Sequence, residues 1–150
     1  MNQFTGPLIS LTLLCLGDAK ASTEGVVPLL RILNTDQSET KRLEALQSLE
    51  KTGGIDAQQI ARSICDTSAK IRATMVRLGT QMATEDPELE LRLIALANDK
   101  SPIVQIQMLK SLPLLQSPRA AAAFQKLLGA SLNAKDAELR SLAESLQKAP

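Results

Sequence analysis

Three places in this chain read Asp-x-Ser, at Asp36-Gln37-Ser38, Asp66-Thr67-Ser68 and Asp99-Lys100-Ser101, and they fall 30 and 33 residues apart. A period of this size marks a stack of similar units, each too small to bury its own apolar face. The phase holds elsewhere too. Six residues after each Asp stand Arg42, Arg72 and Gln105, and nine and ten after it stand Ala45-Leu46, Met75-Val76 and Met108-Leu109. Six residues before each Asp stand Leu30, Ile60 and Leu93. Agreement at polar and apolar positions together is far harder to reach by chance than a scatter of leucines. A fourth copy is blurred: Asn133-Ala134-Lys135-Asp136 takes the place of the turn, and Arg140, Leu142, Ala143 and Leu146 continue the pattern.

Within a copy the turn separates two apolar segments of helical period, Val26, Leu29, Leu30 and Leu33 before it and Leu43, Leu46 and Leu49 after it. Each copy therefore predicts an antiparallel helix pair. Composition agrees, since two Phe and no Trp or Tyr leave Leu, Ile, Val, Ala and Met to fill the core. Leu, Ala and Met favour helix over strand. Asp56 and Ser117 are expected N-caps, Pro87 and Pro118 are expected in first helical turns, and Gly53-Gly54 and Gly129 are expected to stop helices. The Asp and Ser of each turn would cap the second helix of the pair by accepting its free N–H groups. The expectation is an all-α fold, a solenoid of three to four antiparallel helix pairs over residues 22–150.

The turn Asp, an apolar residue and then Arg at the sixth place, as in Asp66 to Ile71-Arg72, with Pro28 eight before Asp36, resemble the HEAT repeat and its bacterial variants related to phycobilin-lyase-like repeats. In that family the Asp and Arg of adjacent repeats form a polar ladder. The resemblance thus implies structural roles for Asp36, Arg42, Asp66, Arg72 and Asp99. The chain departs from the pattern where Lys41 replaces the apolar residue, where Gln105 replaces Arg, and where repeats two and three lack the Pro. A narrower likeness rests on residues 42–49, Gly53-Gly54-Ile55-Asp56, Ile71-Arg72, Leu109 to Leu112 and Ser117 to Ala120. These look like the helical region of large secreted bacterial proteins that join a sugar-dehydrogenase-like propeller, HEAT repeats and a c-type cytochrome domain. The likeness spans roughly residues 23 to 147, and it implies a spacer or docking part without the redox sites.

The chain has no His, which removes the commonest general base and metal ligand together with any Cys-x-x-Cys-His haem attachment. Cys15 and Cys65 stand fifty residues apart in apolar, helix-like settings, and small buried residues are expected at both. The acidic run Glu85-Asp86-Pro87-Glu88-Leu89-Glu90 suits a helix start better than a cation site, because negative charge there opposes the positive end of the helix dipole. Met75, Met82 and Met108 read as core filler. No nucleotide-binding or nucleophile motif is recognised. Neither a cofactor nor a metal is expected, and no enzymatic activity. Seventeen basic against sixteen acidic residues give a net charge of +1, so no whole-protein field draws in nucleic acid.

At the amino terminus, residues 7–16 form a short apolar run ending at Gly17 and followed by Ala19-Lys20-Ala21. Residues 1–21 read as a candidate signal peptide with an Ala-x-Ala cleavage site, or as a buried capping helix or the start of a fragment. The run is too short for a confident membrane span, which takes about 20 apolar residues. The protein is expected outside the cytoplasm, periplasmic or secreted, if the signal is genuine, and in the cytoplasm otherwise.

Counting from each Asp, positions eight, eleven and fifteen share one helical face and read Glu44, Gln47, Lys51, then Thr74, Arg77, Gln81, then Gln107, Lys110, Leu114. This polar stripe lies opposite the apolar one, and it is the candidate face for a protein partner. Simple solvation explains it as well. The favoured function is a non-catalytic protein-binding or scaffold module. The alternative is an accessory subunit or detached fragment of a secreted dehydrogenase, cytochrome or lyase-type protein that acts only with a partner. An unmasked terminal repeat would favour a homodimer.

Overall fold

The computed structural model describes residues 18–148 as eight α-helices, and no strand occurs among them. They are α1 (Asp18–Thr35), α2 (Glu39–Thr52), α3 (Ala57–Ser63), α4 (Ala69–Ala83), α5 (Pro87–Ala95), α6 (Pro102–Ser111), α7 (Pro118–Ser131) and α8 (Ala137–Lys148). Single 3-10 turns, Leu96–Asn98 and Leu112–Leu114, extend α5 and α6. The apolar run at residues 7–16, Cys15 within it, and most of the candidate signal segment lie outside the described residues.

Local chemistry explains where the helices start. Ser38 and Ser68 stand at the N-caps of α2 and α4 and accept from the N–H groups of Lys41 and Ile71. Asp36, Asp66 and Asp99 each reach two residues ahead, their Oδ1 accepting the backbone N–H of Ser38, Ser68 and Ser101 at 2.8, 2.7 and 2.8 Å. That arrangement closes the turn before each cap. Ser101 differs, since its side chain makes no capping bond and Pro102 opens α6. Asp56, Asp86 and Ser117 cap α3, α5 and α7, with Pro87 and Pro118 at the first turns. The acidic run is thus a helix start. Gly53, at φ 67, ends α2, and Gly54 donates to the Leu49 carbonyl at 2.9 Å. Only glycine takes that left-handed backbone without steric cost.

Three expectations are corrected. Gly129 does not stop a helix but lies inside α7, which runs on to Ser131. Its position is exposed and open, so it costs about 1 kcal/mol of helix propensity and nothing in packing. Cys65 is exposed, not buried: it stands in the turn after α3, and Ile64 before it takes the buried place. Met75 and Met108 are fully buried, but Met82, near the end of α4, is partly exposed.

The core is aliphatic throughout, and its phase is that of the turns. The ninth residue after each turn is Ala45, Met75 or Met108, the tenth is Leu46, Val76 or Leu109, and all six are buried. In the fourth copy Arg140 donates to the Ala134 carbonyl at 3.1 Å, as Arg42 and Arg72 do to Asp36 and Asp66. Ala134 therefore holds the turn-Asp place and Asp136 the N-cap place, its Oδ1 accepting from Leu139 N–H at 2.9 Å. Counted this way, Ala143 is the ninth residue, and it too is buried. Helices α1 and α2 pack together, as do α3 and α4, and α7 and α8; α4 packs on α2 and α6, α6 on α8, and α5 on α3 and α7.

Candidate functional site

Two structures recur along the chain, one buried and one exposed. The buried one links successive turns. Arg42 points Nη1 at its own turn, donating to the Asp36 carbonyl at 2.9 Å, and sends Nε and Nη2 to Asp66 in the next turn at 3.2 and 3.0 Å. Arg72 repeats the arrangement one copy on, with Nη1 on the Asp66 carbonyl at 2.8 Å and Nε and Nη2 on Asp99 at 2.8 and 3.0 Å. A planar guanidinium suits this task because it offers donors along two edges in fixed geometry.

The series then stops. Gln105 keeps the bond to its own turn, donating to the Asp99 carbonyl at 2.7 Å, but it carries no charge and lacks the second edge of donors with which a guanidinium grips a following acid. The following turn has Ala134 where the acid would stand. Both members of the third pair are missing together, so neither charge is left alone. The Asp36 carboxylate, at the first turn, makes an ion pair only with Lys41 among the described cations, at 3.8 Å.

Electrostatics follow from this geometry. Burial would raise the Asp99 carboxyl, but the hydrogen bonds from Arg72 and from the Ser101 backbone N–H, with the Arg72 charge, outweigh it and hold the group below its ordinary range. The bond to Asp99 raises Arg72 in turn, against the desolvation it suffers. Each group stabilises the charge of the other.

The exposed structure is the polar stripe. Glu44, Gln47, Lys51, Arg77, Gln81 and Lys110 are exposed, while Thr74 and Gln107 are half-buried. They divide by what they bond. Arg77 of α4 donates to Glu50 of α2 at 2.7 Å, Gln107 to Ser111 at 3.0 Å, and Thr74 to the Lys70 carbonyl at 2.9 Å. The side chains of Glu44, Gln47, Lys51, Gln81 and Lys110 have no hydrogen-bond or ion-pair partner among the described residues. Leu114, at the end of the row, is 62% exposed.

Other cross-copy bonds escaped the sequence reading. Asn34 and Gln59 exchange amide bonds at 3.1 and 2.8 Å, Gln59 also donates to Ser63 at 2.8 Å, and Ser68 donates to Glu39 at 2.8 Å. Ser117 likewise donates to Glu90. Ser68 and Glu39 stand at fixed offsets from their turns, a signal that could have been found; the Asn34–Gln59 pair has no counterpart in the other copies. Among the described residues every buried side-chain nitrogen or oxygen has a partner, and no three His, Cys, Asp or Glu residues gather as a metal would need. No helix of the described residues is long and apolar enough to cross a membrane.

Comparison with family models, with curated proteins and with solved structures returned no match to this chain.

Proposed function

We propose that this chain is a non-catalytic scaffold, a short solenoid of HEAT-like helix pairs whose stripe on α2, α4 and α6 docks a protein. The observation that carries the reading is the division of labour among polar groups. Those of the turns join one copy to the next, while Glu44, Gln47, Lys51, Gln81 and Lys110 stand exposed and unpartnered on three helices, at the eighth, eleventh and fifteenth places after the turn. The recurrence of the Arg42 and Arg72 forks supports the stack itself, since the same side chain meets the same neighbour one period later.

The stripe carries Glu44 as well as Lys51 and Lys110, so the partner surface would be of mixed charge, and binding would weaken with salt beyond a Debye length of about 10 Å at 0.1 M. The test compares capture from the source cells by the wild-type chain and by a triple variant, Glu44→Lys, Lys51→Glu and Lys110→Glu, followed by mass spectrometry. A protein held by the first and lost by the second, with both equally stable, is the expected outcome. Identical capture by both would remove the stripe from the reading. Capture of nothing by the wild type would remove the binding role.

A further inference from the structure

The turn ladder ends differently inside the chain and at its two extremes. Inside, at Gln105 and Ala134, both charges are absent. At the extremes one charge of each pair remains. Arg140 holds its own turn through Nη1, on the Ala134 carbonyl at 3.1 Å, and its Nε and Nη2 have no partner among the described residues. Those are the atoms with which Arg42 and Arg72 grip the next acid. Asp36 uses Oδ1 on Ser38 N–H at 2.8 Å, as Asp66 and Asp99 use theirs on Ser68 and Ser101, but no guanidinium of the described residues bonds its carboxylate.

A second pair of positions follows the same rule. The fifth residue after the turn is buried as Ile71, Val104 and Leu139, each with a copy before it, whereas in the first copy it is the exposed Lys41. The tenth residue is buried as Leu46, Val76 and Leu109, each with a copy after it, whereas in the fourth copy it is the exposed Glu144. One end thus presents Asp36 and Lys41, the other Arg140 and Glu144. The two ends are opposite in sign at both places.

We infer that the ends join head to tail with a second copy of this chain, Arg140 of one molecule taking the place beside Asp36 of the next and Glu144 the place beside Lys41. The inference rests on the repeat-stack reading proposed above. Such a contact joins two different surfaces, so every molecule that joins brings a further end of each kind, and association extends beyond a dimer into a series or a ring. Being charged and partly exposed, it is weak and salt-sensitive.

Sedimentation velocity on the full chain tests this. Asp36→Asn keeps the acceptor for Ser38 N–H but removes the charge, and Arg140→Gln keeps the donor to the Ala134 carbonyl, as Gln105 does naturally. At low salt the wild type should associate progressively with concentration and revert to monomer at about 0.5 M salt. Each variant alone should stay monomeric over the same range. An equimolar mixture of the two variants should form a one-to-one dimer and nothing larger, because it contains one intact end of each kind. A wild type monomeric up to about 1 mM at low salt would overturn the inference, as would variants that assemble like the wild type. Small-angle scattering on the Arg140→Gln monomer separates the two readings: an elongated profile keeps the stack even if association fails, and a compact one sinks the stack itself.

Discussion

Arg72 holds Asp99 across the boundary between two copies by two nearly parallel bonds of 2.8 and 3.0 Å, and both side chains are mostly buried, with 17% and 9% of their surface exposed. Removing one partner leaves the other charge without the bonds that offset its desolvation. Arg72→Ala is expected to cost about 2–4 kcal/mol in urea unfolding. Arg72→Lys should recover only part of this, since an ammonium cannot bond the Asp66 carbonyl and both Asp99 oxygens in one plane. Equal stability of the Lys variant and the wild type would deny the fork its role.

The same pair sets a pH dependence. The Asp99 carboxyl is held below its ordinary value, so its contribution is fully present above the unfolded carboxylate pKa of about 4 and is lost as pH falls toward and through the folded value. In that window the unfolded chain binds the proton more readily than the folded one, and acid drives unfolding. Stability measured from pH 6 to pH 2 should therefore fall less steeply for Asp99→Asn than for the wild type. Parallel curves would mean that other carboxylates carry the acid sensitivity.

The gap at the third pair offers a test by restoration. Gln105→Arg alone places a guanidinium with no acid to meet, and Ala134→Asp alone places a carboxylate with no cation. Each single change should be neutral or mildly destabilising. Together they would rebuild the fork seen at Arg42–Asp66 and Arg72–Asp99, and a double-mutant cycle should give a favourable coupling of about 1–2 kcal/mol. Additive effects would show that the third and fourth copies meet at a different spacing from the others.

Much of this fold can be read from residue order because the turns use chemistry that is local. An Asp bonding two residues ahead and a Ser capping three ahead need no knowledge of the rest of the chain, so Asp36, Asp66, Asp56 and Ser117 are legible as they stand. Apolar phase is legible for a similar reason, since the buried ninth and tenth positions repeat in three copies. What depends on packing between elements is not. Cys65 resembles a core residue by type, yet the turn after α3 gives the buried place to Ile64. Arg77 and Glu50 meet because α4 lies on α2, a register that neither helix specifies alone. The fourth turn misleads by residue type, because its Asp136 is the cap and Ala134 holds the place of the acid. The exposed stripe is legible as a surface from spacing; which of its members are already bonded within the fold is not.

Two glycines buried to different degrees make a last, paired prediction. Gly79 sits in α4 where α3 and α5 press close: a β-carbon there would stand 3.0 Å from Ile60 Cγ2 and 3.0 and 3.1 Å from the two Leu93 methyls. Ile60 and Leu93 are themselves fully buried and have little room to yield. Overpacking of this kind costs about 1–3 kcal/mol, which exceeds the roughly 1 kcal/mol that alanine contributes over glycine to a helix. Gly79→Ala should therefore be net destabilising. Gly129 is exposed in α7, and a β-carbon there would meet nothing within 4 Å, so no such opposing term arises. Gly129→Ala should raise stability by about 0.5–1 kcal/mol through helix propensity alone. Thermal unfolding of the two variants beside the wild type decides the matter, and a stabilising Gly79→Ala would mean that α3, α4 and α5 stand further apart than these distances require.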